Sequence, residues 1–261
     1  MPCFLDYDSP TALKKFLDDN SFAMQKKFGQ NFLINRSCRE KLLSALKTEP
    51  NMSVWEIGPG LGAMTESLLS KGTKLTAFEI DYGFSKALTT MFSDFDNFNL
   101  IEGDVLKTWS DTAKSTGKPD RLFGNLPYNI AATILAQFIT SGMIFDVCVV
   151  TIQKEVAMRM IASPSTKDYS SFTVLCQWAY DITTIMDIAP GSFWPKPNVA
   201  SRAVRLTRKK QPLQCTNNAV FFSLIRGLFA SRRKTIYNNI RTWLSTNGYE
   251  RENNNTEKIA L

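Results

Sequence analysis

Val54-Trp55-Glu56-Ile57-Gly58-Pro59-Gly60-Leu61-Gly62 decides the fold of this chain. The apolar run from Val54 to Ile57 suits a short buried strand, and three glycines at alternate positions form a tight turn before the helical pattern of Met64 to Ser70. A glycine turn directly between strand and helix lets a ligand approach the backbone closely, because no Cβ stands in the way. Outward from it, further strands are predicted at Leu75 to Ile80, Asn99 to Glu102, Arg121 to Gly124, Val147 to Ile152, Thr183 to Ile188 and Ala203 to Thr207. Helical patterns lie between them at Phe84 to Phe92, Ala131 to Ser141 and Lys154 to Ile161. This alternation predicts an α/β fold built from crossover units, with ligands at the carboxyl ends of the strands.

The glycine spacing narrows the ligand. A dinucleotide site prefers G-x-G-x-x-G, whereas Glu56 to Gly62 reads E-x-G-x-G-x-G, the spacing of Rossmann-like methyltransferases that hold S-adenosylmethionine. Gly58 and Gly60 are the expected points of close approach. Glu79 closes the second strand, where a carboxylate can take both ribose hydroxyls, and Asp104 closes the third, placed to accept from an adenine amine.

Asn125-Leu126-Pro127-Tyr128 follows the fourth strand and supplies what methyl transfer to an aromatic amine requires. The lone pair of a purine amine is delocalised into the ring, so a catalyst must draw the nitrogen toward tetrahedral geometry by accepting hydrogen bonds from its protons. The Asn125 side-chain carbonyl and the Leu126 backbone carbonyl are the candidate acceptors. Pro127 stiffens the turn, and Tyr128 offers a flat face for a base taken out of its stack.

Composition removes other chemistry. There is no histidine, and the five cysteines form no CxxC pair, so Ser-His or Cys-His nucleophiles and structural zinc are set aside and no metal is expected. No apolar run approaches the ~18 residues of a membrane span, and the scattered thiols fit a reducing compartment, so no membrane partner and a cytoplasmic location are expected. The net charge of +7 is unevenly placed: residues 208–261 carry ten Lys and Arg against three acids, which leaves residues 1–207 neutral. A basic segment beside a neutral body is the footprint of a polyanion partner, because Lys and Arg displace counterions from phosphates. The expected organisation is an N-terminal extension over residues 1–53, a methyltransferase domain over 54–207 and a small, basic, all-helical domain over 208–261. Thr11 to Asp18 and Arg39 to Lys47 are the predicted helices of the first, Val220 to Phe229 and Thr235 to Leu244 those of the last.

The chain resembles the KsgA family of ribosomal RNA small-subunit adenine dimethyltransferases through KKFGQNFL (Lys26 to Leu33), EIGPGLGAMT (Glu56 to Thr65), Glu79, Gly103-Asp104, NLPYNI (Asn125 to Ile130), QKEVAMRM (Gln153 to Met160), PGSFWPKPNVASRAVRL (Pro190 to Leu206) and FASRRKTIYNNI (Phe229 to Ile240). The N-terminal stretch Met1 to Asn20 is longer than the family minimum. The resemblance implies a Rossmann-like class I methyltransferase domain followed by a small helical domain. It puts the S-adenosylmethionine contacts at Asn31, Leu33, Gly58, Glu79, Asp104 and Asn125, with S-adenosylhomocysteine as product. The implied reaction gives two methyls to each of two adjacent adenosines near the 3′ end of 16S rRNA in the small ribosomal subunit or its precursor.

Tyr128 is expected on one face of the target base and Phe193 on the other, with a core aromatic as the other reading of Phe193. Lys26, Lys27, Arg232, Arg233 and Lys234 are the expected phosphate contacts, the last three on the C-terminal helix. Gln153, Glu155 and Arg159 divide evenly between a solvated helix face and RNA docking. Two rivals share parts of this pattern: a large-subunit rRNA adenine methylase that confers antibiotic resistance, and a non-catalytic ribosome-assembly factor. SRRKT (Ser231 to Thr235) favours the small-subunit family, and intact Asn125 and Tyr128 weigh against a factor without chemistry.

Overall fold

The computed structural model describes residues 5–22, 24–25, 29–211 and 215–248. In chain order the elements are α1 (Pro10–Asp19), β1 (Phe32–Leu33), α2 (Arg36–Leu46), β2 (Ser53–Ile57), α3 (Thr65–Ser70), β3 (Lys74–Glu79), α4 (Tyr82–Met91), β4 (Phe98–Glu102), α5 (Val105–Thr116), β5 (Arg121–Asn125), α6 (Ala131–Thr140), β6 (Val147–Gln153), α7 (Lys154–Ile161), α8 (Ser171–Ala179), β7 (Tyr180–Ile188), β8 (Phe193–Trp194), β9 (Ser201–Arg208), α9 (Asn218–Leu228) and α10 (Ile236–Thr246).

Seven strands form one sheet in the order β4-β3-β2-β5-β6-β9-β7. The first five are parallel, and β9 enters antiparallel between β6 and β7. The order reverses between β2 and β5, and an open α/β sheet has its ligand crevice at such a switch point, outside the carboxyl ends of the strands. Strand alternation sends side chains to two opposite layers. Trp55, Leu122, Cys148, Val150 and Ile152 belong to the cluster that includes α6 and α8, while Val54, Phe123, Val147 and Val149 belong to the one that includes α2, α3 and α4. Trp55 is fully buried, edge-on to Phe78 at 4.8 Å and to Phe145 at 5.9 Å.

Two helices were not legible in advance. In α5 (VLKTWSDTAKST) a Thr- and Ser-rich sequence hides the apolar spacing; Asp104 caps its start by accepting from Leu106 N–H, and Gly117 ends it. In α8 (SFTVLCQWA), β-branched and aromatic residues mimic a strand, and packing of Cys176 and Ala179 into the core overrides that propensity. The C-terminal helices pack on each other, Trp243 donating to Ser223 Oγ at 2.9 Å. They are anchored by Phe222, which is 5% exposed and edge-on to Trp178 at 5.1 Å.

Candidate functional site

The carboxyl ends of β2, β3, β4 and β5 open into one cavity, whose lining includes Glu56, Gly58, Glu79, Asp104, Asn125 and Tyr128. Its floor is the glycine turn. Gly58, Gly60 and Gly62 hold φ of +68°, +59° and +91°, a region that side chains with a Cβ rarely enter. Gly62 has a second constraint: a Cβ there would stand 2.6 Å from the Phe92 ring, so any side chain would have to displace that ring. Asn31 and Leu33 line the same cavity, as do Gly60 and Leu126. Every residue expected to touch the cofactor is therefore gathered at one place.

Glu79 reaches back to the turn. Its Oε2 accepts from Gly60 N–H at 3.1 Å, and Oε1 accepts from Asp81 N–H at 2.9 Å. Burial pushes its carboxyl up to about 7 even though these backbone N–H groups favour the ionised form. Glu56 is buried more completely and sits at about 8, raised first by desolvation; its Oε2 accepts from the Thr65 hydroxyl at 2.7 Å. Both folded-state values lie above the unfolded one. The native protein therefore binds more protons than the unfolded chain between roughly pH 4.5 and 8, and these two groups remove stability as pH rises through that window. Asp104 spends Oδ1 on Leu106 N–H at 3.0 Å. Its Oδ2 accepts no hydrogen bond among the described residues and remains for a ligand.

At the end of β5 the amide of Asn125 has a fixed sense. Nδ2 donates to the backbone carbonyl of Asn31 at 2.8 Å, so Oδ1 is the atom left to accept. Leu126 N–H donates to Thr151 O across to β6, and its own carbonyl accepts no hydrogen bond among the described residues. Both residues line the cavity, and each keeps one acceptor oxygen unused among the described residues. Tyr128 is half-buried, and its hydroxyl shares a hydrogen bond with Ser201 Oγ, which fixes the ring from the start of β9.

Other expected residues lie elsewhere. Phe193 does not line the cavity: it is 3% exposed, in the core cluster that includes Leu33, Ile188 and Ala203, because β8 pairs with β1 and the ring turns inward there. This placement is the one that the core-aromatic reading of Phe193 expects. Its neighbour Trp194 stacks on Phe32, ring centroids 6.1 Å apart. Arg232, Arg233 and Lys234 lie in the turn between α9 and α10 rather than on the helix. Arg232 donates to the Lys167 and Thr166 carbonyls, whereas Arg233 and Lys234 make no ion pair or side-chain hydrogen bond among the described residues. Arg159 pairs with Glu155 on an exposed helix face. Lys26 and Lys27 fall outside the described residues. Sequence reading missed Tyr7, Leu13 and Arg39, which line the cavity, and Ser201. Glu56 was in view within the glycine motif without a role of its own.

The family model for ribosomal RNA adenine dimethylase matches residues 21–260. The chain is 48% identical over 246 residues to "Ribosomal RNA small subunit methyltransferase A" of Treponema denticola, covering 94% of this chain and 84% of that protein. Among solved structures, a dimethyladenosine transferase from Plasmodium falciparum superposes with a TM-score of 0.70 at 26% identity, over 85% of this chain and 83% of that one. The 23S rRNA methyltransferase ErmE superposes at 0.62 with 22% identity, over 80% and 83% of the two chains, a likeness of fold alone. With the glycine turn, the ordered acids and the Asn125 acceptor converging on one sheet edge, the chain belongs to the ribosomal RNA adenine dimethylase family.

Proposed function

We propose that the cavity at the ends of β2 to β5 holds S-adenosylmethionine, and that Asn125, Leu126 and Tyr128 present the exocyclic N6 amine of an adenosine to it. The substrate is small-subunit 16S rRNA, at two adjacent adenosines near its 3′ end, each dimethylated during subunit assembly in the cytoplasm. The observation that carries this reading is the orientation of Asn125: a nitrogen committed to Asn31 leaves Oδ1 free to accept, in a cavity that Leu126 and Tyr128 also line.

When bound, S-adenosylmethionine supplies an electrophilic methyl group. Glu79 would hold the ribose hydroxyls, and Asp104, through its unused Oδ2, would accept from the adenine amine of the cofactor. Asn125 Oδ1 and Leu126 O accept hydrogen bonds from the two N–H groups of the target amine, which returns lone-pair density to the nitrogen. Tyr128, held by Ser201, stacks on the target base. No side chain has to be a strong base, because the amine attacks neutral and its extra proton can leave afterwards. Positioning and preorganised acceptors provide the rate. After the first methyl the amine retains one proton, so one of the two acceptors must go unused in the second turnover.

The basic segment 208–261 serves as the rRNA-binding part, with Arg233 and Lys234 facing phosphate; Arg232 supports the turn through the carbonyls at residues 166 and 167. Replacing Arg232, Arg233 and Lys234 by glutamine should weaken small-subunit binding. It should also flatten the slope of log K against log salt, by roughly 1.5 if two phosphate contacts are lost. Cofactor affinity should not move. An unaltered slope in filter binding across a salt series would turn these side chains away from RNA.

The cavity half of the reading is tested by Glu79→Ala, which should weaken S-adenosylmethionine binding by roughly 1.5–3 kcal/mol, the scale of hydrogen bonds to a charged group. Ribose donors favour the ionised carboxylate, and the free group sits at about 7. Wild-type affinity should therefore rise with pH up to about that value, and the variant should show a flatter profile. Calorimetry from pH 6 to 8 reads both effects, and an unchanged affinity in the folded variant would remove Glu79 from the site.

A further inference from the structure

The family model begins at residue 21, but the wall of the cavity does not. Tyr7 and Leu13, both ahead of that point, line it. Leu13 and Leu17 of α1 are buried, at 1% and 4% exposure, in a cluster with Tyr7, Leu61 of the glycine turn and Phe84 of α4. Ser9 caps the helix by accepting from Ala12 N–H, and Phe22 meets Phe84 edge-on at 6.4 Å. The segment is therefore packed against Leu61 of the turn and Phe84 of α4 through these apolar residues.

Two polar ties connect this segment to the site. The Tyr7 hydroxyl donates to the backbone carbonyl of Leu61 at 3.0 Å, a buried bond between residues 54 positions apart. Leu61 stands between two glycines with positive φ, in a turn closed by Gly62 N–H donating to the Pro59 carbonyl at 3.0 Å, and the Tyr7 bond adds a tie from outside the turn. Glu79 holds Gly60 N–H from the sheet side, and Tyr7 holds the Leu61 carbonyl from the opposite end of the chain. The second tie is Arg39, buried and lining the cavity. Its guanidinium donates to the Leu33 carbonyl at 2.8 Å and forms an ion pair with Asp8. Asp8 thus compensates a buried cation that also fixes Leu33.

We propose that residues 5–22 are a latch on the cofactor site, in which Tyr7 is a positioning residue for the glycine turn and the Asp8–Arg39 pair holds the segment shut. The latch closes the end of the cavity at the turn, and cofactor and product exchange when it lifts. This rests on the cavity being the S-adenosylmethionine site.

The test uses the full-length protein carrying Tyr7→Phe, which removes one hydroxyl and keeps the ring, or Asp8→Asn, which removes the charge at a half-exposed end of the ion pair. Dissociation of S-adenosylhomocysteine is followed by stopped-flow displacement, and its affinity by calorimetry. Each variant should release the product faster and bind it more weakly, by roughly five-fold, the equivalent of one hydrogen bond of ~1 kcal/mol. Affinity for small subunits should stay as it is, which separates a local effect on the cofactor from general loosening. If Glu79→Ala weakens binding while both Tyr7→Phe and Asp8→Asn exchange product at the wild-type rate, the latch is overturned and the cavity reading stands. If Glu79→Ala also leaves affinity intact, the cavity reading fails first. A variant that only melts earlier, with unchanged exchange, makes the segment a structural brace and likewise overturns the latch.

Discussion

Asn125→Ala should lower single-turnover methyl transfer to unmethylated small subunits by roughly 100- to 1000-fold, the scale on which loss of one preorganised hydrogen-bonding group at a reacting centre is felt. The size follows from what the residue does in the reaction rather than in binding. Its Oδ1 is one of two acceptors that draw the amine protons, and that demand increases as positive charge develops on nitrogen. In alanine the acceptor is gone, and the Asn31 carbonyl loses the Nδ2 donor that faces it at 2.8 Å. Some cofactor affinity should go with that second loss, because Asn31 lines the same cavity. Small-subunit affinity should change little, since the proposed phosphate contacts Arg233 and Lys234 are outside the cavity. Rapid quench with labelled S-adenosylmethionine at saturating cofactor isolates the chemical step, and a rate within about three-fold of wild type would take Asn125 out of the reaction.

Tyr128→Ala should cost the next largest amount, roughly 1–3 kcal/mol of base stacking, or about 5- to 150-fold in kcat/KM for small subunits. Tyr128→Phe separates the ring from the hydroxyl. It keeps the stacking face and loses only the bond to Ser201, so it should fall a few-fold at most. Equal losses in the two variants would mean that the hydroxyl, and not the ring, matters.

The sheet was legible because its strands are short apolar runs separated by helical patterns, and β2, β3, β5 and β6 lie within one or two residues of their expected limits. The donor side of the site was legible for the same reason: Gly58, Glu79, Asp104 and Asn125 each end or follow a strand, and strand ends on one edge of a parallel sheet converge by topology alone. Contacts made by distant segments left no such pattern. Tyr7 bonds a carbonyl 54 residues away, and Ser201 holds a ring 73 residues away; neither has a periodicity or a spacing that a sequence could display. Phe193 shows a different limit. Its motif identified the segment, but whether the ring turns toward the cavity or the core depends on the β1–β8 pairing, a two-residue ladder with no sequence signature.

The most direct test of the central claim is to offer purified unmethylated small subunits and large subunits with methyl-labelled S-adenosylmethionine and then to map the labelled nucleosides. The account predicts label in the small subunit alone, on the N6 amines of two adjacent adenosines near the 3′ end of its rRNA, two methyls on each. Label on an adenosine of the large subunit, or no transfer to either particle by a protein that binds the cofactor, would contradict it.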